Sequence, residues 1–328
     1  MIDNLRMKTA FVLLCSMVCG LSSFSQQVEE FSLIRENAFT LNPALAGMEG
    51  YIHGVATFRK QFTRIDASPY TAMLAMDGEI KDKHLGIGGY ILHDVTGPTG
   101  KTSGTIAVAY NVPLYKKFSA RLSNGRANHV LSIGISLSVV QYRLDATKLL
   151  LDNPGDPELY TTKGTRIFPD ASFGVYYRYK EIFYAGVSVP QIMGLNINYR
   201  GQDGLAKIKT MQHLNFLIGG KYEWARGNFS INPVAGLRWV KGAPPQGDIG
   251  LRFMIYKIFW LGCNYRSMNY MVFEAGFNVK DYFKFAYAYD FNFSKYRKDV
   301  GSTHEISILF NIPERGRVWR GAGPVLRF

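Results

Sequence analysis

The sequence predicts an all-β chain: a transmembrane, antiparallel up-and-down β-barrel of about fourteen strands that follows an N-terminal signal peptide. Three observations predict it. Apolar and polar side chains alternate with period two through most of residues 51–312, the spacing that puts one set of side chains on each face of a strand. Aromatic residues make up 14% of the chain and glycines number 33, whereas charged residues reach only 19%, a mixture suited to strands and tight turns. After the N-terminal segment, no stretch approaches the ~20 apolar residues of a spanning helix.

The chain begins with a targeting segment, residues 1–25. Behind Lys8 the run from Thr9 to Phe24 is apolar, is too short to span and ends in small residues, so a signal peptide starting from Met7 and cleaved near Ser25 is expected. Cys15 and Cys19 raise the alternative of a lipid anchor, but Cys15 comes too early in the apolar run and Cys19 follows Val18 where a small residue is required. Both cysteines leave with the signal. Cys263 then stands alone, so no internal disulfide is available and the sheet must supply the stability.

Residues 26–50 read as a periplasmic lead-in. Within it Leu41-Asn42-Pro43-Ala44-Leu45-Ala46-Gly47 places an N-capping asparagine before a proline at the first helical position, with a glycine to end the turn.

The barrel occupies residues 51–312. Leu131, Ile133, Ile135, Leu137 and Val139 alternate with Ser132, Gly134, Ser136 and Ser138. Leu214, Phe216 and Ile218 oppose His213, Asn215 and Gly219, and Phe229, Ile231, Ala235, Leu237 and Trp239 oppose Ser230, Asn232, Gly236 and Arg238. The strongest pattern sets Phe283, Phe285, Tyr287, Tyr289, Phe291 and Phe293 against Lys284, Ala286, Ala288, Asp290, Asn292 and Ser294. Such an aromatic face suits either a sandwich core or a wall turned to lipid. Turn parity favours lipid. Tight turns at Lys81–Lys83, Tyr179–Glu181, Ala225–Gly227, Tyr256–Ile258 and Lys280–Asp281 follow even-numbered strands, and the long connections Leu144–Arg166, Pro190–Ala206 and Lys295–Ser302 follow odd-numbered ones, as in outer-membrane barrels. Leu114–Asn128 is the exception, long and basic on the side that should be short, and reads as a periplasmic contact or as flexible surface. Residues 313–328 form a basic tail with Arg315, Arg317, Arg320 and Arg327; either Phe310 or Phe328 ends the barrel.

Alternation also directs charge inward. Arg238, Arg252 and Arg266 come from three successive strands and Glu274, Asp290 and Glu305 from the next three, forming a candidate lumen charge ladder. It reads as structural pairing across the wall, as a hold on a plug, or as the lining of a selective channel. The formal net charge of +13 suits anionic lipid headgroups or an acidic partner, and equally a polar lumen.

No motif argues for catalysis: there is no G-x-S-x-G, no H-E-x-x-H and no paired cysteine motif. His304 and Glu305 are adjacent on a strand and point to opposite faces, so they cannot share a site. A lipid-modifying barrel would need a nucleophile and a histidine near one barrel face, for which His129 and His213 lie near serines or asparagines. Gly86-Ile87-Gly88-Gly89 is a strand with small inward residues rather than a phosphate loop. No cofactor, metal or nucleic-acid partner is expected.

Several blocks in order resemble the PorP/SprF family of type IX secretion system outer-membrane proteins. They are Asn42-Pro43-Ala44-x-Ala46-Gly47; Arg59-x-Gln61 with Ser68-Pro69-Tyr70; Gln141-Tyr142-x-Leu144-Asp145; Phe173-Gly174-Val175-Tyr176-Tyr177; Phe183-Tyr184-Ala185-Gly186-Val187-Ser188; Trp260-Leu261-Gly262 with Tyr265-Arg266; Tyr287-Ala288-Tyr289-Asp290-Phe291; and His304-Glu305-Ile306. Phe62 departs from the tryptophan frequent in that family, and the tail beyond Ile312 is a second departure. The resemblance implies a non-enzymatic barrel in the outer membrane of a Gram-negative bacterium. It would act in export or surface anchoring of proteins with C-terminal sorting domains, and in some relatives in gliding motility. Its partners would be outer-membrane lipid, the secretion translocon, periplasmic lipoprotein components and secreted adhesin or enzyme cargo. On this reading Asn42, Pro43, Ala44 and Gly47, with the 114–128 connection and the tail, are candidate periplasmic partner contacts. The alternative is a substrate-specific outer-membrane pore lined by the charge ladder.

Overall fold

The computed structural model describes residues 29–312 apart from 81–82, 115–128, 146–162, 181, 195, 201–204, 210, 268–269, 280–281 and 296. The expected signal peptide, the basic tail with Phe328 and most of the 114–128 connection lie outside the described residues.

Period-two alternation produces strands along the whole chain: β1 (Ile52–Lys60), β2 (Tyr70–Ile80), β3 (Leu85–Thr96), β4 (Thr99–Pro113), β5 (His129–Asp145), β6 (Lys163–Tyr179), β7 (Phe183–Val189), β8 (Asn196–Arg200), β9 (Leu205–Lys209), β10 (His213–Gly220), β11 (Tyr222–Trp224), β12 (Phe229–Val240), β13 (Gln246–Ile255), β14 (Phe259–Arg266), β15 (Tyr270–Val279), β16 (Phe283–Asn292) and β17 (Thr303–Ile312). Each wall strand pairs antiparallel with its sequence neighbour, β1 pairs with β17, and β10 pairs with both β7 and β12, so the sheet closes on itself. Short β11 continues β10 beyond Lys221, which leaves fourteen wall strands, and β8–β9 is a separate hairpin in the β7–β10 connection. Closure removes the open sheet edges, the condition for crossing hydrocarbon with strands. No helix among the described residues is long and apolar enough to cross a membrane.

The start of β1 and the end of β17 share one end of the barrel, where Ile52 faces Ile312. Five short turns lie at that end, joining β2–β3, β6–β7, β11–β12, β13–β14 and β15–β16, which identifies it as the periplasmic end. Tyr256 and Lys257 adopt φ of 51° and 59° in one of these turns, the left-handed pair that a tight hairpin demands. The long connections named from the sequence lie at the opposite end, where two further connections, not assigned a side from the sequence, are short: Gly97 and Pro98 alone join β3 to β4, and 267–269 join β14 to β15.

The aromatic face of β16 turns outward. Phe283 and Tyr287 are largely exposed, whereas Ala286, Ala288 and Asp290 between them are buried. Ile91, Ile106, Leu137, Ile249 and Leu261 likewise point out of the wall. On a membrane barrel this exposed apolar surface meets lipid.

The core is inside the lumen, and it is made by the chain's own N-terminal segment. Phe31, Leu33, Ala38, Phe39, Ala44, Leu45 and Ala46 are buried against inward wall residues such as Val55, Met73, Ala107, Tyr176 and Ala288. This strap, Glu29–Gly50, includes a single helical turn α1 (Ala38–Leu41) and a 3-10 turn over Pro43–Leu45. The structure therefore corrects two expectations. Residues 29–50, expected as part of a periplasmic lead-in, lie inside the barrel. Asn42, Pro43, Ala44 and Gly47 are buried against the wall and are not available there as a periplasmic contact surface. The capped turn forms as its sequence requires, since Asn42 accepts a hydrogen bond from the Ala44 amide at 2.9 Å with Pro43 at the first position. What the turn packs against is set by residues more than eighty positions away.

Candidate functional site

The site with the most convergent chemistry is the interface between the strap and the inner wall. Strand alternation brings Arg59 from β1, Arg238 from β12, Asp248 and Arg252 from β13, Arg266 from β14, Glu274 from β15, Asp290 from β16 and Glu305 from β17 into the lumen, and the strap supplies Glu29, Glu30, Ser32, Arg35, Glu36 and Asn37.

Contacts order the strap by height. Nearest the outer mouth, Glu29 pairs with Lys101 at 2.7 Å, and Glu30 lies 3.1 Å from Arg238 and 3.4 Å from Arg266. Just below, the Ser32 hydroxyl donates to Asp290 at 2.5 Å, and the amides of Ser32 and Leu33 donate to Glu305 at 2.6 and 3.1 Å. Arg59 bridges the same two carboxylates, reaching Asp290 at 2.9 Å and Glu305 at 3.0 Å, and also donates to the Ser32 hydroxyl. Asn37 donates its side-chain amide to Glu305 at 3.2 Å and accepts from Thr57 at 2.8 Å.

At mid-height four charges form an alternating chain, closed into a ring by the backbone that joins Arg35 to Glu36. Arg35 donates to Glu274 at 2.6 Å, Glu274 accepts from Arg252 at 2.7 Å, and Arg252 donates to both oxygens of Glu36 at 2.6 and 3.0 Å. Arg35 completes its fork on the carbonyl of Asn232 at 2.9 Å, and the Trp260 ring centre lies 3.6 Å from the Arg252 guanidinium. Two cations and two anions, one of each from strap and wall, leave the buried cluster neutral. Buried charges are tolerated on this condition, because each one left single costs several kcal/mol of desolvation.

Below the ring the wall changes character. Phe39 lies over Gly88 and packs edge-on against Tyr90. Ser188 donates to the Leu41 carbonyl at 2.6 Å and Ser132 to the Ala44 carbonyl at 2.6 Å. Asn42 donates to the carbonyls of Val175 and Val187 at 3.2 and 3.3 Å. Gly134 lies directly against the backbone of Pro43 and Ala44, Gly174 against the Asn42 side chain, and Gly86 against the Ala46 carbonyl, so that a Cβ at any of these would overlap the strap. Gly47 closes the turn at φ 64° and donates its amide to Asp77 at 2.8 Å. Small cavities of about 40 and 50 Å³ lie between strap and wall among the described residues, each roughly the room of one or a few waters.

All six ladder residues named from the sequence face inward. Their partners are the strap, one another (Arg252 with Glu274, Arg266 with Asp290) and two wall residues that alternation alone did not single out, Asp248 and Arg59. Asp248 takes both Arg238 and Arg266 at 2.7 Å, Arg59 holds Glu305 and Asp290, and Arg266 stands 3.9 Å from Asp290. The parity of Asp248 with Arg252, and of Arg59 with Thr57 and Val55, could have found these two. Nothing periodic in Glu29–Asn37 could have found the strap. His129 and His213 do not meet: His129 sits at the periplasmic end of β5 on the Tyr177 hydroxyl, and His213 is buried at the outer end of β10. His304 points outward to Tyr287 while Glu305 points inward, as alternation requires. No group of three or more His, Cys, Asp or Glu side chains able to hold a metal occurs among the described residues.

Comparison with known proteins gives the architecture a context. The CymD monoaromatic hydrocarbon channel superposes with a TM-score of 0.51 at 10% identity, covering 87% of this chain and 94% of that one, which supports the barrel fold. A TodX monoaromatic hydrocarbon channel mutant follows at 0.46 and 9% identity, covering 84% of this chain and 94% of that one. The outer membrane protein Omp33 of Acinetobacter baumannii scores 0.44 at 7% identity, covering 80% of this chain and 100% of that one. No curated protein matches the chain. The family model for the type IX secretion system membrane protein PorP/SprF matches residues 23–310. An outer-membrane barrel with these ordered blocks and this match belongs to the PorP/SprF family of type IX secretion membrane proteins.

Proposed function

We propose that this chain acts in type IX secretion as a non-conducting, partner-binding or scaffold subunit, serving export or surface anchoring of sorting-domain cargo alongside the translocon and periplasmic lipoprotein components. The observation that carries this reading is the filled lumen. The strap occupies the barrel from one mouth to the other, and the charges expected to line a channel are engaged with the strap or with each other. A barrel closed in this way offers its loops, rims and outer wall to partners, and a substrate pathway is not needed for that. The family and fold are those of a secretion-system membrane barrel and not of an enzyme class.

Deleting the gene should leave sorting-domain cargo inside the cell while permeability to small solutes stays normal. Cargo secretion at the parental level in a strain without paralogues would sink the proposal. The competing pore reading draws on the channel fold of CymD and on the arginine-rich inner wall; it requires that the strap leave the lumen, and bilayer conductance decides it.

A further inference from the structure

We propose that the strap runs inward from the outer mouth, so that Glu29 and Glu30 lie at the outer face of the membrane although β1 begins, and β17 ends, at the periplasmic end. Wall partners of known height fix the direction. Lys101, which holds Glu29, is near the outer start of β4, and Arg238, which holds Glu30, is near the outer end of β12. Ser32 is gripped by Asp290 and Glu305, close to the outer ends of β16 and β17. Arg35 and Glu36 meet Glu274 and Arg252 in mid-strand. Ala44 rests on Ser132 and Gly134 near the periplasmic start of β5, and Gly47 on Gly78 and Gly86 at the periplasmic ends of β2 and β3. Met48 accepts from Arg178, one residue from the periplasmic end of β6. From Glu29 to Met48 the contacts descend from the outer to the periplasmic end, with one local return at Asn37, whose side chain reaches the same Glu305 that holds Ser32 and Leu33.

The carboxylates of Asp290 and Glu305, which hold Ser32, Leu33 and Asn37, sit on the last two strands of the barrel, and β17 is the strand that seals the ring against β1. This inference does not depend on the secretion role proposed above, so either can fail alone.

Accessibility in intact cells tests it. An epitope inserted between Val28 and Glu29 of the full-length chain should be recognised by antibody on unbroken cells, at the level given by the same epitope placed after Lys298 in the β16–β17 loop. An epitope in the Tyr256–Ile258 turn should need permeabilisation. In parallel, Glu30→Cys in a Cys263→Ser background should react with a small membrane-impermeant thiol reagent on intact cells. Signal from both the epitope ahead of Glu29 and the Glu30→Cys variant only after permeabilisation, matching the Tyr256–Ile258 tag, would overturn the proposed direction.

Discussion

The inner wall has two halves that hold the strap by different means. From β3 to β7 the strap between Phe39 and Gly47 lies directly on Gly86, Gly88, Ser132, Gly134, Gly174, Gly186 and Ser188, and charged contacts among the described residues are confined to Lys101 and Arg178 near the strap's two ends. From β12 through β17 to β1 the face carries Arg238, Asp248, Arg252, Arg266, Glu274, Asp290, Glu305 and Arg59, and the strap meets it through charged and polar side chains. The first half specifies the strap by shape and the second by charge. Shape excludes a bulkier occupant, whereas charge fixes register, because a shift of one residue would leave buried ions single.

The largest effect should come from the charged half. Arg252→Met leaves Glu36 without its bidentate partner and Glu274 with Arg35 alone, and removing one member of a buried ion cluster costs about 3–5 kcal/mol. The variant's folded band on a heat-modifiable gel should disappear at a markedly lower temperature, and adding Glu36→Gln should recover part of the loss. If Arg252→Met matches the parent, the four-charge ring does not hold the strap. In the shape half, Gly134→Val drives side-chain atoms into the backbone at Ala44, which cannot fold away as a flexible side chain could. Overpacking of this kind costs about 1–3 kcal/mol. It should be measurable as a lower urea midpoint, with no rescue by any change of charge on the strap. The smallest effect belongs to Ser188→Ala, which strips one donor from the Leu41 carbonyl and should cost about 1 kcal/mol in the same titration.

These two halves were unequally legible in the sequence. Period two is a local property, so the outward aromatic face of β16 and the inward orientation of Arg252, Glu274 and Glu305 could be read directly from spacing. The strap has no such period. Its Asn42–Leu45 turn was recognisable from Asn-Pro and Gly47, but its destination depends on glycines at 86, 134 and 174, whose meaning emerges only when distant strands are adjacent. Glycine in a strand ordinarily weakens it; here a run of inward glycines and serines records where another backbone lies. Turn parity was a sound guide for the connections it named and was silent on Gly97–Pro98, because a short outer turn carries no signal of its side.

Both halves serve one claim, that the strap closes the lumen, and conductance tests it most directly. Purified full-length barrel in a planar bilayer should be silent. A variant lacking residues 29–47, shown by its heat-shifted migration to remain a folded barrel, should conduct steadily. Stable conductance from the full-length protein, or silence from a folded strapless barrel, would contradict the account.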